Sequence, residues 1–225
     1  MLRRILCVFL VLFGAQSFAE VATKASDTKK QLPSTTFVEG KHYQVLSRFL
    51  PTNSTVPVME FMYYGCETCF KLAPAIAEWS YIKKIGVTLV PTHSENAMVN
   101  EARMFHTFDV MGVLDKMYEE GFIMFQDKQS KLQGEERVNS FLAQHSINKD
   151  KFWQAWKSDA VDARLKKSAE LTKMAQIAKT PTFVVHGAYK VDIESVKSVE
   201  ELFLLLEYLT AKKAPAVPSL LKKPV

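Results

Sequence analysis

Cysteine is scarce in this 225-residue chain, with 3 in all, at positions 7, 66 and 69. Cys7 lies inside the N-terminal apolar run, which leaves Cys66 and Cys69 as the pair available for chemistry. A structural zinc site needs four ligands, usually with a second Cys/His pair. The 5 histidines (His42, His93, His106, His145 and His186) show no paired ligand spacing. No metal site is therefore expected. Long apolar runs are scarce too. The run Ile5–Phe13 falls short of the roughly 20 residues that a membrane-spanning helix needs, and no later stretch is long and apolar enough. Charge of one sign is also lacking: 29 basic residues face 24 acidic ones and are spread along the chain. That gives no basic patch for nucleic acid. No internal repeat is visible.

What is present begins with Met1-Leu-Arg3-Arg4, the apolar run, and small residues at Ser17 and Ala19. A basic start, a short apolar core and small residues before a cut site describe a secretory signal peptide. Residues 1–19 are read as that peptide, with cleavage after Ala19. The remaining chain would carry 27 basic and 24 acidic side chains and would not span a membrane. An exported protein meets an oxidising compartment. A lone pair three residues apart closes too small a loop to brace a fold, so it reads as a working part.

The surrounding residues say what kind of part. Val56 to Tyr64 is an apolar run rich in β-formers and reads as a buried strand. Gly65 and Cys66-Glu67-Thr68-Cys69 follow. Then Leu72, Ala73, Ile76, Ala77, Trp79 and Ile82 take helical spacing, with Pro74 interrupting the helix. Cys66 thus falls at a helix start, where unpaired N–H groups and the helix dipole favour a thiolate. Cys66 is the expected nucleophile, and Cys69, one turn further in and less exposed, the resolving thiol of a reversible dithiol/disulfide switch. Glu60, set in the apolar run, reads as a buried acid with a raised pKa.

The rest of the chain frames this stretch. Residues 20–36 are polar and Lys-rich, a flexible arm. Phe37–Leu46 is a weak first strand, and Val87–Pro91 a buried one, forming a parallel βαβ unit with Val56–Tyr64. From 94 to 178 helical patterns dominate: 97–108, 110–120, 135–145, 149–158 and 160–178, with Ser94 and Asn148 as start signals and Gly121 and Gly134 as breaks. Phe105, Phe108, Met111, Leu114, Met117, Phe122 and Phe125 form a core stripe. Val184-Val185 and Tyr189–Asp192 form a hairpin, and 198–212 a last helix with Leu202, Leu205, Leu206 and Leu209 inside. Residues 213–225 are a flexible tail.

Together these residues resemble the DsbA-type thiol-disulfide oxidoreductases. Glu60-Phe-Met-Tyr-Tyr-Gly-Cys66-x-x-Cys69, Pro74, Thr180-Pro181-Thr-Phe-Val-Val-x-Gly187 and the helical block ending in Phe152-Trp-Gln-Ala-Trp156 carry the match, over roughly 37–212. The resemblance implies an α/β thioredoxin fold, residues 37–93 and 179–212, with an inserted all-helical domain, 94–178. It implies catalytic roles for Cys66, Cys69, Glu60, Thr180 and Pro181, with Thr180-Pro181 cis and facing the disulfide. It also implies no cofactor beyond the Cys66–Cys69 disulfide, a periplasmic location, reduced unfolded exported proteins as substrates, and a membrane quinone-linked partner for re-oxidation. A reductase or isomerase is the competing reading within this chemistry. A soft-metal-binding or holdase module is the competing class. The chain departs from the strongly oxidising members, which have Pro-His between the cysteines, in carrying the redox-tuning pair Glu67-Thr68. A carboxylate beside Cys66 disfavours the thiolate. The expected potential lies between reference values for other proteins, about −120 mV for the strongest oxidants of this family and about −270 mV for thioredoxin.

Overall fold

The computed structural model describes residues 37–52, 55–93, 96–128 and 134–213. The signal peptide, the arm to residue 36, the Ser94 start signal and the tail from 214 lie outside the described residues. All described residues belong to one compact unit.

Strand β2 (Val58–Met62) is the axis of the molecule. All five of its residues are buried, as expected of an apolar run with strands on both sides. It pairs in parallel with β3 (Val87–Pro91) and antiparallel with β4 (Thr182–Val185). β4 continues through a turn into β5 (Tyr189–Asp192), and β1 (Gln44–Val45) closes the other edge, giving the order β1-β5-β4-β2-β3. The expected first strand over Phe37–Leu46 shrinks to two residues. Its earlier part curls back on itself: the Gly40 amide donates to Tyr43 C=O at 2.8 Å, and the His42 amide to Val38 C=O at 2.9 Å.

Period-two alternation sends β2 side chains to opposite faces of the sheet. On one face Val58 packs with Leu72, Ile76 and Trp79 of α1 (Glu67–Lys83) and with Leu202, Leu205, Leu206 and Leu209 of α7 (Val199–Ala211). On the other, Met59 and Phe61 meet Leu171 and Ala175 at the end of α6 (Asp159–Met174). Glu60 alternates with Met59 and Phe61, so it points to the α1 side.

Between β3 and β4 the chain runs through α2 (Asn96–Val110), α3 (Leu114–Gln126), α4 (Gly134–Gln144), α5 (Lys149–Trp156) and α6. Met104, Phe108, Met117, Met124, Phe141, Leu142 and Phe152 form their own core. Asn148, Ser158 and Ser198 cap α5, α6 and α7 through their side-chain oxygens, which satisfies N–H groups left open at a helix start. Among the described residues no helix is long and apolar enough to cross a membrane.

The helix breaks differ from expectation at one glycine. α2 ends at Val110, the chain turns through Gly112, which takes φ +68°, and α3 then runs straight through Gly121. Gly121 is there for space: a Cβ on it would stand 2.4 Å from Cζ of Tyr64. That ring is pinned by Phe122 edge-on at 5.1 Å and by Phe125 stacked at 5.7 Å. Gly121→Ala gains up to about 1 kcal/mol of helix propensity, but overpacking a full core costs about 1–3 kcal/mol. Net destabilisation is expected, read as a lower midpoint in urea unfolding. A midpoint at or above wild type would show that the ring moves freely.

Candidate active site

The site grows out of the C-terminal end of β2. The chain turns at Tyr63–Cys66, closed by the Cys66 amide donating to Tyr63 C=O at 3.0 Å. Cys66 is extended (φ −80°, ψ 104°) and caps α1, its sulfur accepting the Cys69 amide at 3.0 Å. Cys69 lies in the first turn of the helix and is bonded to Cys66 as a disulfide, with α-carbons 5.2 Å apart. Cys66 keeps 5% of its surface exposed and Cys69 none, the order the sequence suggests.

Glu60 is 1% exposed, and neither carboxylate oxygen has a hydrogen-bond partner. Its neighbours in register are Leu89 on β3 and Phe183 on β4, so nothing on either strand offers a charge. Burial pushes its pKa up to about 8. The hydroxyls of Tyr64 and Tyr118 are likewise buried without a partner, and burial raises both phenols. Glu60 adds a Coulombic push on Tyr118, and Tyr64 and Tyr118 pack in one cluster with Cys66 and Cys69.

Thr180-Pro181 is cis. Thr182 pairs with Phe61, which brings this loop beside the end of β2 where the Cys66 turn departs. Thr180 and Thr68 line one groove of about 470 Å3 together with Tyr63, Thr92, Met98 and Glu194. Pro181 is buried and Thr180 half-buried. Glu67 and Thr68 are exposed. The Glu67 carboxylate accepts from Lys71 Nζ at 2.6 Å, and this bond and charge hold its pKa below the usual range. Among the described residues no cluster of three or more His, Cys, Asp or Glu could hold a metal ion.

Two polar contacts escaped the sequence reading. The Gly65 amide donates to Glu101 Oε2 at 2.8 Å, and Tyr64 C=O accepts from Gln126 Nε2 at 3.1 Å. Both acceptor and donor come from the inserted helices, 36 and 62 residues downstream. No local pattern marks such residues.

A sulfur-capped helix after a central strand, with a cis-proline loop beside it, defines a thioredoxin-fold dithiol/disulfide protein. The family model "DSBA-like thioredoxin domain" matches residues 67–204. The chain is 30% identical over 184 residues to "Thiol:disulfide interchange protein DsbA" of Pseudomonas aeruginosa, covering 80% of this chain and 87% of that one. It is 28% identical over 181 residues to the protein of the same name from Azotobacter vinelandii, covering 79% and 85%. Among solved structures, that of Pseudomonas aeruginosa DsbA matches with a TM-score of 0.71 at 29% identity, over 78% of this chain and 93% of that one. The N. meningitidis oxidoreductase NmDsbA1 matches with a TM-score of 0.66 at 26% identity, over 77% and 92%. The chain belongs to the DSBA-like thioredoxin domain family, and its fold is an α/β thioredoxin fold with a helical insertion.

The Glu60 pKa fixes the sign of a pH effect. The folded chain holds this proton between the ordinary value of 4.5 and about 8, while the unfolded chain has lost it. Stability is therefore greatest at acid pH and falls as pH rises through that window. At about 1.4 kcal/mol per pKa unit the loss is on the order of 5 kcal/mol. Glu60→Gln, neutral throughout, is expected to be more stable than wild type by a margin that grows between about pH 5 and about pH 8.5. Urea unfolding of both proteins at the two pH values measures it. A constant margin would place the Glu60 pKa near its ordinary value.

Proposed function

We propose that this chain is an exported thiol-disulfide oxidoreductase that introduces disulfides into periplasmic and secreted proteins through Cys66 and Cys69. The observation that carries the reading is the Cys66–Cys69 disulfide at the start of α1, with Cys66, the less buried of the two, at the cap. The thiol:disulfide interchange named for the relatives supports the same chemistry.

A substrate thiolate attacks Cys66 Sγ. The Cys66–Cys69 bond breaks, and its electron pair leaves on Cys69. Glu60 carries its proton at neutral pH, because its pKa stands near 8, and supplies it to the Cys69 thiolate. A second substrate thiolate then attacks the substrate sulfur of the mixed disulfide. Cys66 leaves as a thiolate, stabilised by the open N–H groups and dipole of α1. The substrate has lost two electrons, and the chain holds them as a dithiol. Thr180 and Thr68 both line the groove in which an extended substrate segment would lie, and Pro181 follows directly on Thr180. Exchange with a membrane quinone-linked partner restores the disulfide. In this reading 94–178 is the inserted domain, and 37–93 with 179–212 the thioredoxin part.

Cys66→Ser is expected to abolish oxidation of a reduced test substrate. Cys69→Ser is expected to accumulate mixed disulfides through Cys66, visible as reducible adducts on a non-reducing gel. Thiol trapping in intact cells is expected to find the wild-type pair oxidised. A reduced pair at steady state would make the chain a reductase or isomerase instead.

A further inference from the structure

The turn that delivers Cys66 is gripped from outside the sheet. The Gly65 amide donates to Glu101 Oε2 on α2 at 2.8 Å, and the Tyr64 carbonyl accepts from Gln126 on α3 at 3.1 Å. The Tyr64 amide is directed at the same Glu101 carboxylate. The insertion thus satisfies both the donors and the acceptor of one peptide turn. Glu101 is half-buried. Burial raises its pKa, and the Gly65 and Tyr64 amides pull it back. Among the described residues no cation pairs with it: Arg103, two residues on, is engaged by Asp162 at 2.7 Å and by Trp156 C=O at 2.9 Å.

We propose that Glu101 is a positioning residue for Cys66 and a restraint on its strength as an oxidant. Its carboxylate fixes the turn one residue before the attacking sulfur, and its negative charge disfavours the Cys66 thiolate. The inference rests on the disulfide-exchange reading given above. Consecutive α-carbons stand about 3.8 Å apart, so an acid bonded to the Gly65 amide sits next to the cap of α1. A like charge at that range raises a thiol pKa, and partial burial weakens the solvent screening. Two acids therefore flank Cys66, but they are not equivalent. Glu67 is exposed and held by Lys71 at 2.6 Å, whereas Glu101 has its charge uncompensated. The other titratable groups around the turn are Tyr63 and Tyr64 within it, Glu60 on β2, Tyr118 on α3, Lys128 just beyond α3, and Lys179 and Glu194, which line the groove with Tyr63 and Thr68. Of the two cations Lys128 acts on Glu67 and Lys179 is held by Glu194. The coupling is reciprocal: formation of the Cys66 thiolate on reduction makes Glu101 hold a proton more tightly.

Glu101→Gln separates the two roles, since its amide oxygen still accepts from Gly65 while the charge is gone. In a glutathione redox titration this variant is expected to shift toward the reduced form by roughly three- to tenfold, as one nearby unit charge implies. The midpoint of its thiolate absorbance is expected at lower pH, and its unfolding temperature close to wild type. Glu101→Ala is expected to show the same redox shift with a lower unfolding temperature. A Gln variant with the wild-type glutathione equilibrium and thiolate midpoint overturns the proposal. The wild-type protein gives an independent check by carbon-13 NMR of the Glu101 carboxyl. A higher pKa in the reduced than in the oxidised state supports the coupling; identical titrations overturn it. A wild type that does not exchange with glutathione at all overturns the underlying disulfide-exchange reading, and with it this one.

Discussion

The hydrogen bond from the Cys69 amide to Cys66 Sγ, 3.0 Å long, is the contact on which the rest of the molecule depends. It places a sulfur where a helix would otherwise put a serine or aspartate, at the point where α1 exposes its unpaired N–H groups. In the proposed mechanism a sulfur so held leaves readily as a thiolate. Keeping it there requires a rigid strand on one side and a rigid helix on the other. β2 supplies the first through pairing on both edges and burial of every residue. α1 is fixed by Leu72, Ile76 and Trp79 against the sheet and α7, and by the Trp79 indole donating to Glu207 on α7 at 3.0 Å.

The space beneath the sulfurs is less comfortable. Glu60 and the hydroxyls of Tyr64 and Tyr118 are buried without partners, an arrangement that a purely structural core avoids. Buried ionisable groups with shifted pKa values mark functional sites more often than chance. Here the penalty falls on the charged form of Glu60, which keeps its proton at neutral pH; in the proposed mechanism that proton goes to Cys69. The same penalty makes the fold less stable than an apolar residue would leave it. In that mechanism function and stability pull on this one side chain in opposite directions.

Much of this was legible in the sequence because it is local. A β-rich run, a glycine, a CxxC and a helical stripe with Leu72, Ile76 and Trp79 place a cysteine at a helix start without any knowledge of the fold. The hairpin and the Leu202–Leu209 helix are legible for the same reason, since periodicity reports which face is buried. What escaped depends on partners distant in sequence. Gly121 looked like a helix break; Tyr64 explains its lack of a side chain, and that contact spans α3 and the active-site turn. Glu101 and Gln126 carry no local signal in the sequence, yet each meets a backbone group of that turn. The weak alternation of Phe37–Leu46 suggested a longer strand than Gln44–Val45, because pattern alone does not count the turns that consume residues.

The central claim is that Cys66, and not Cys69, is the activated sulfur, and that the start of α1 activates it. Alkylation of the reduced protein by iodoacetamide across a pH series, with each cysteine quantified by peptide mass, tests this most directly. The account predicts that Cys66 reacts first, with a midpoint well below the ordinary thiol value of about 8.5, while Cys69 stays protected until the protein unfolds. Faster labelling of Cys69, or a Cys66 midpoint at or above about 8.5, would contradict it.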